Sequence, residues 1–280
     1  MSKIRVMIAG LPGNMATLVA QDVEAQTDML VYPYALAEES GEVRIDTDAR
    51  AVDVRLIPMG LHEEFLQERG DHVDVIVDFT QPKSVNRNAE LYCKYGIPFV
   101  MGTTGGDRDK LAEAIRGSKI SALVTTNAAA QVVAVQEMIR FAAESFPGLF
   151  SGFELTIVES HQASKPDPSG TAVSLLPAFE KLGAPLSKDH ITMVRSPVVQ
   201  KQGLRIPEKH LGGHGYHTYT LRRPDGTVCV QVTHNILGRA PYVDGILGDI
   251  RFLYGKKGER GQVYTQIDQM RGGRAFWQRT

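Results

Sequence analysis

The chain has 280 residues, with 31 lysines and arginines against 32 aspartates and glutamates, a net charge of −1. That balance excludes a general polyanion partner: no nucleic acid and no anionic membrane surface is expected, and anion recognition has to be local. Two cysteines, Cys93 and Cys229, no run of 18 apolar residues and no visible signal segment predict a cytoplasmic protein, or a plastid one if a transit peptide has been removed.

Ile4–Ala9 is an apolar run read as a first strand, ending in Gly10-Leu11-Pro12-Gly13-Asn14-Met15-Ala16 and followed by a helical pattern through Leu18, Val19 and Val23. Leu30–Ala35 is a second strand candidate weakened by Pro33, and Val54–Ile57 a small extra one. Val73–Val77, Pro98–Met101 and Ser121–Thr125 are further apolar runs, with helical stretches at 84–95 and 107–117 between the later ones. This alternation predicts the α/β class with a doubly wound parallel sheet. Residues 131–146 carry Val132, Val133, Val135, Met138, Ile139 and Ala142 at helical spacing, ended by Phe146-Pro147-Gly148. From about residue 153 the texture changes. Strands at 153–158, 191–195, 215–223 and 227–234 surround one helix at 170–182, and Asp225-Gly226 marks a hairpin turn. That pattern predicts an α+β domain with an open mixed, largely antiparallel sheet. Residues 241–256 are helical again, and 257–280 form a charged tail with Trp277.

Gly10-x-x-Gly13-x-x-Ala16, between a first strand and a helix, has the context of a dinucleotide pyrophosphate site. Such turns also arise for purely structural reasons, so the loop alone leaves both readings open. Three more strand ends carry small and hydroxyl residues: Asp78-Phe79-Thr80, Gly102-Thr103-Thr104-Gly105 and Thr125-Thr126-Asn127. Ligands of open α/β sheets bind outside the carboxyl ends of strands, which favours a cofactor over ordinary turn chemistry.

The stretch 159–172 is the most informative. His161 and Lys165 sit four apart on the loop after a strand, and Ser169-Gly170-Thr171 can open a helix with its N–H groups outward. A proton donor, a fixed cation and an anion-binding turn suit a small dicarboxylate, and a histidine titrating near neutrality can supply the proton that accompanies hydride addition.

The pairing of Gly102–Gly105 with the His161/Lys165 and Ser169–Thr171 motif resembles the dihydrodipicolinate reductase family, over nearly the whole chain. Asn88–Asp107 and Phe146–Gln162 look closest to its plant-type branch. The resemblance implies a Rossmann domain built from both chain ends, 1–130 and 240–280, with an inserted substrate-binding and tetramerisation domain at 131–239. It implies NAD(P)H-dependent reduction of 4-hydroxy-tetrahydrodipicolinate to tetrahydrodipicolinate in the diaminopimelate route to lysine. Carried over, His161 is the acid/base and Lys165 the substrate-binding proton donor. Gln162, Ser169, Gly170, Thr171 and Arg239, the last in a hinge segment beginning at His234, would contact substrate. Gly10, Leu11, Pro12, Gly13, Asn14, Met15, Glu38, Phe79, Gly102, Thr103, Thr104, Thr125, Thr126, Asn127 and Ala128 would contact the cofactor. The common bacterial form has a second His where this chain has Gln162, one more residue before Ser169, and Phe in place of Ala128. Two alternatives remain: another two-domain nicotinamide oxidoreductase of the amino-acid-dehydrogenase kind, or a non-catalytic cofactor-binding regulator.

Glu38 or Glu39 after the second strand favours NADH, with Arg44 the next basic residue, yet family members often use both cofactors. Activity with NADH or NADPH, discriminated by no more than about tenfold, is expected. No metal is expected, because His190, His210, His214 and His217 share no ligand spacing with one another or with a carboxylate cluster. His214 and His217 alternate with Tyr216 and Tyr219 and read as sheet-face or interface residues, consistent with a homotetramer.

Overall fold

The computed structural model describes residues 2–48, 50–125 and 127–272. Thr126 and Trp277 lie outside them. The chain divides into two compact units, Met1–Ala130 with Tyr242–Thr280, and Gln131–Pro241. The first unit opens with β1 (Ile4–Ala9), α1 (Asn14–Ala25), β2 (Met29–Val31), β3 (Tyr34–Leu36), β4 (Gly41–Asp46) and β5 (Ala51–Ile57). It continues with α2 (His62–Arg69), β6 (Val75–Asp78), α3 (Val85–Lys94), β7 (Phe99–Met101), α4 (Arg108–Arg116) and β8 (Ala122–Val124). The expected strand at 30–35 is divided at Tyr32-Pro33. β2 pairs with β1, whereas β3 joins β5 and β4 in a separate three-stranded sheet. Proline has no N–H for a ladder, so the chain changes sheets there. β4 was not expected: the charges of Glu42, Arg44 and Asp46 mask a strand whose Ile45 is buried.

The second unit starts with α5 (Ala130–Ser145), β9 (Glu154–Ser160), α6 (Gly170–Val173), α7 (Leu176–Lys181) and β10 (Thr192–Val194). α8 (Pro197–Gln202), β11 (His214–Arg222) and β12 (Cys229–Leu237) follow. Its sheet runs β10-β9-β11-β12, with the β10–β9 pair parallel and the others antiparallel. Gly226, at φ 74°, makes the turn between β11 and β12. The expected single helix at 170–182 is two short ones, because Pro177 lies in the first turn of α7 and has no N–H for a continuous helix. Alternate residues Leu155 and Ile157 of β9 and Tyr219 and Leu221 of β11 pack with Ile139, Ala143, Leu175 and Phe179 in this unit's core.

The chain returns to the first unit through α9 (Ala240–Gly255), β13 (Val263–Tyr264) and α10 (Gln266–Gly272). β13, a strand inside the expected tail, pairs with β8 and completes a six-stranded parallel sheet, β13-β8-β7-β6-β1-β2. Helices cover both faces, so the strands are apolar on both sides. Val6 and Ile8 join α1 and α9 in one cluster, while Met7 and Ala9 join α2, α3 and α4 in the other. No helix among the described residues is long and apolar enough to cross a membrane.

At the carboxyl end of β6, Asp78 is fully buried. Its Oδ1 accepts from Thr80 N at 3.0 Å, Thr80 Oγ1 at 2.7 Å and Thr103 Oγ1 at 2.7 Å. Its Oδ2 accepts from Asn88 Nδ2 at 2.9 Å and Tyr92 Oη at 2.8 Å. One carboxylate therefore ties the loops after β6 and β7 to α3. Asp78→Asn puts an amide donor against one of these donor sets, and is expected to destabilise the chain by about 2–4 kcal/mol, since each unsatisfied buried donor costs about 1–3 kcal/mol. The shift of the urea unfolding midpoint measures this, and an unchanged midpoint would remove Asp78 from the role.

Candidate active site

Glu159 occupies the next inward position of β9 after Leu155 and Ile157 and is 1% exposed. A carboxylate at a core position must find partners. Arg195, just after β10, approaches Oε1 through Nη2 at 2.6 Å. His161, the first residue after β9, brings Nδ1 to 2.8 Å from Oε2, bent away from a linear N–H···O alignment. Burial pushes the Glu159 carboxyl up, but the contacts and charges of His161 and Arg195 outweigh it and hold it at about 2. The group is ionised at neutral pH.

The same side chains shape the loop. Arg195 Nε donates to the Lys165 carbonyl at 2.9 Å and Nη2 to the Asp167 carbonyl at 3.2 Å. Gln200 of α8 is 1% exposed and donates Nε2 to the carbonyls of His161 at 2.8 Å and Val194 at 3.1 Å. Lys165 N donates to the Gln162 carbonyl at 3.0 Å, and the half-buried Lys165 makes no side-chain ion pair among the described residues. His161 and Lys165 thus share one braced loop.

His217 of β11 stands directly across from Glu159 in the strand register and from His234 of β12. Of the two readings, interface or sheet-face residue, the second holds: it is 3% exposed and lies on the sheet face toward the unit's interior. His214 is also buried, held between Ser160 Oγ at 2.9 Å and the His210 carbonyl at 3.1 Å. Burial first, then the charges of His234 and His161, lowers His217 to about 3; burial and His161 lower His234 to about 4. The two neutral rings stack at 4.7 Å. His217 Nε2 lies 2.9 Å from Ser169 Oγ, which accepts the Thr171 N–H at 3.1 Å. The other ring nitrogen of His217, Nδ1, is buried without a hydrogen-bond partner among the described residues. Ser169 caps α6, a helix of only four residues, with Gly170 exposed at its start. Thr171 is held in turn through its carbonyl by Gln136 Nε2 at 3.3 Å. Half-buried Arg239 lies beside Gly213, where a Cβ would come within 3.5 Å of Nη1.

In the first unit, Gly10, Leu11, Pro12, Gly13, Glu38 and Phe79 line one cavity of about 450 Å³. Gly10 adopts φ 101°, and a Cβ there would fall 2.3 Å from the Phe79 carbonyl; at Gly13 it would fall 2.8 Å from the Gly10 carbonyl. Gly13 precedes α1 as its N-cap, with Asn14 exposed and Met15 half-buried behind it. Such a glycine turn at a helix start, beside a cavity of this size and a carboxylate, fits the pyrophosphate and ribose of a nicotinamide dinucleotide. Gly102 lies under the Phe79 ring, where a Cβ would come within 2.4 Å, and Thr103 is fixed by Asp78; Thr104 is exposed. Thr125 Oγ1 donates to Gln266 Oε1 at 3.2 Å, Asn127 Oδ1 accepts from Ala129 N at 2.9 Å, and Ala128 is buried. Those three end β8 and do not line the cavity. Glu38 pairs with Lys83 Nζ at 3.1 Å, whereas Arg44 pairs with Asp46 and Asp53 in the small sheet.

The sequence reading named Asp78 at a strand end and Glu159 at the head of the 159–172 stretch without giving either a role, and it missed Lys83, Arg195, Gln200 and the inward His217. Glu159 carried a signal, a charge in phase with Leu155 and Ile157. Arg195 and Gln200 carried none, being brought in by β10 and α8.

The family model for the N-terminal part of dihydrodipicolinate reductase matches residues 4–136, and that for the C-terminal part matches residues 131–270. A chloroplastic 4-hydroxy-tetrahydrodipicolinate reductase of Arabidopsis thaliana is 38% identical over 96% of this chain and 78% of its own length. A probable chloroplastic one of Oryza sativa subsp. japonica is 43% identical over 96% and 79%. A bacterial one, from Desulfitobacterium hafniense, is 27% identical over 90% and 94%. Among solved structures, the dipicolinate-bound dihydrodipicolinate reductase from Paenisporosarcina sp. TG-14 shares the fold, with a TM-score of 0.66, 18% identity and coverage of 96% of this chain and 99% of that one. With both family models matched in register and the higher identities on the plant side, the chain belongs to the dihydrodipicolinate reductase family, in its plant-type branch.

Proposed function

We propose that this chain reduces 4-hydroxy-tetrahydrodipicolinate, by way of its dehydrated form, to tetrahydrodipicolinate, with NADH or NADPH as reductant, in the diaminopimelate route to lysine. The observation that carries the reading is the ionised Glu159 of β9 held between Arg195 and His161, the latter on a loop that also presents Lys165. When bound, the nicotinamide supplies hydride to a ring carbon. His161 supplies the proton: its Nδ1 side faces Glu159, which stabilises the imidazolium, and its Nε2 side is left for the substrate. Lys165 binds a substrate carboxylate and assists proton delivery, while Ser169, Gly170 and Thr171 hold the second carboxylate. Gln162 takes the place of the second histidine of bacterial relatives as a neutral contact, and Arg239 serves the same anion. Residues 1–130 with 240–280 hold the cofactor, through Gly10–Met15, Glu38, Phe79, Gly102–Thr104 and Thr125–Ala128, and residues 131–239 hold the substrate. The compartment is the cytoplasm, or a plastid as in the relatives named chloroplastic.

Substrate generated in place from pyruvate and aspartate semialdehyde, with nicotinamide oxidation followed optically, tests the reaction directly. In that assay His161→Gln is expected to lower turnover by a factor on the order of 10²–10⁴ with cofactor binding intact. Lys165→Ala is expected to lose both turnover and substrate affinity. Unchanged kinetics in either variant would remove that residue from the site.

For the cofactor, Glu38 suits the ribose hydroxyls of NADH, and its neighbour Lys83 supplies the cation that a 2′-phosphate requires. Wild type is expected to use both within about tenfold, and Lys83→Ala to lower kcat/KM for NADPH by about tenfold more than for NADH, roughly the 1.4 kcal/mol of one exposed phosphate contact. An equal fall for both would make Lys83 a loop-stabilising residue only.

We infer a homotetramer. The stripe at 214–219 no longer supports it, since His214, His217 and Tyr219 are buried within the unit. What supports it is the opposite sheet face, where Thr218 meets Thr233 at 3.2 Å and Gln231 meets Thr220 at 3.0 Å, beside the exposed β12. Light scattering at micromolar concentration is expected to give four times the chain mass, and a monomer would contradict the assignment.

A further inference from the structure

We propose that Glu159, His161 and His217 form a binding site for a divalent transition metal of the zinc class, and that filling it arrests the enzyme. One ligand atom from each of the three lies within 4.8 Å of the other two. His161 Nδ1 is 2.8 Å and His217 Nε2 3.8 Å from the same atom, Glu159 Oε2. Four-coordinate zinc takes imidazole nitrogen and carboxylate oxygen at about 2.0–2.2 Å, which sets neighbouring ligand atoms at roughly 3.3–3.5 Å. The two separations from Oε2 bracket that spacing, and the rings of His161 and His217, with centroids 5.1 Å apart, would close on the ion by turning toward Oε2. Two imidazoles with one carboxylate select zinc, copper, cobalt or nickel over magnesium and calcium, which prefer all-oxygen sites.

The setting of the cluster suits a cation. Glu159 is 1% exposed and Oε2 makes no aligned hydrogen bond, so among the described residues its close partners on that side are the two rings. His217 is 3% exposed, with Nε2 3.8 Å from that oxygen. Ser169 Oγ, its present neighbour, keeps the Thr171 N–H when Nε2 turns to the metal. Arg195 remains on Oε1, leaving Oε2 to the ion. His161 is the least buried of the three, with a side chain 16% exposed, and supplies both the entry and an open fourth position for water. Its Nδ1 proton, if present, leaves to solvent as the N–metal bond forms. With Nδ1 so occupied, His161 retains only a neutral Nε2–H, a far weaker acid than imidazolium. The arrest rests on the reductase reading above; the binding does not.

The test is a titration of the full chain, freed of metal by chelator, with Co²⁺ and then Zn²⁺. The expected result is the intense visible absorption of four-coordinate cobalt, saturating at one ion per chain and abolished by one equivalent of zinc. His217→Gln and His161→Asn are each expected to weaken zinc binding at least tenfold, while His190→Gln, at an exposed histidine outside the cluster, leaves it unchanged. Melting curves of the metal-free variants show that each is folded before it is titrated. A weak octahedral cobalt spectrum, no saturable binding, or equal zinc affinity in folded His217→Gln and His161→Asn would overturn the site. In the reductase assay zinc should inhibit over the concentration range in which it binds. Full activity at saturating zinc would overturn the arrest and leave the site standing, and absence of reductase activity without metal would count against the function alone.

Discussion

Each unit is organised by a carboxylate buried at the carboxyl end of a strand, where its burial has to be offset by donors or charges brought close to it. Asp78 satisfies this with neutral donors from the two loops beside it and from α3. Glu159 satisfies it with charge, from Arg195 and His161. The difference matters chemically. A carboxylate saturated by hydroxyl, amide and phenol groups fixes loop geometry. One paired to a histidine transmits its field to a group that can carry a proton. The first arrangement ties loops together, and the second sets a charge beside a histidine.

The histidines extend this contrast. His214, His217 and His234 are buried and depressed in basicity, whereas His161 sits at the surface end of the same cluster. Neutral rings behind the loop add polarisable, hydrogen-bonding volume without adding positive charge next to His161 and Lys165. Had His217 been cationic, it would have stood 3.8 Å from Glu159 and competed with His161 for the same oxygen.

Much of this was legible in the sequence, and what was not has identifiable causes. The apolar runs of the parallel sheet stand out because both faces are covered. His161, Lys165 and Ser169 stand out because one loop carries them all. β4 was hidden because a strand in a small sheet, largely exposed, can alternate charge with apolar residues. β13 was hidden because two residues of pairing leave no periodicity. The inward side of His217 was missed because alternation along a strand defines two faces but not which of them is inward; that is decided by the strand across from it, where Glu159 lies. Lys83 was missed because the cation near Glu38 comes from the loop after β6, some forty-five residues beyond it in the chain.

The route of the chain has a consequence for its synthesis. The six-stranded sheet ends at β13, and Thr125 reaches Gln266 across 141 residues of sequence. α9, whose Val243, Ile246 and Ile250 cover one face of the sheet, also arrives late. As the chain emerges from the ribosome, the five strands of this sheet made first, β1, β2, β6, β7 and β8, therefore wait with one apolar face covered by α1 but not by α9 and with the β8 edge unpaired. Gln131–Pro241, being contiguous, has all its partners as soon as β12 is out. Vectorial synthesis thus allows the inserted unit to close before the unit whose first strands precede it, and leaves that earlier sheet to be completed by α9 and β13, made after the insertion.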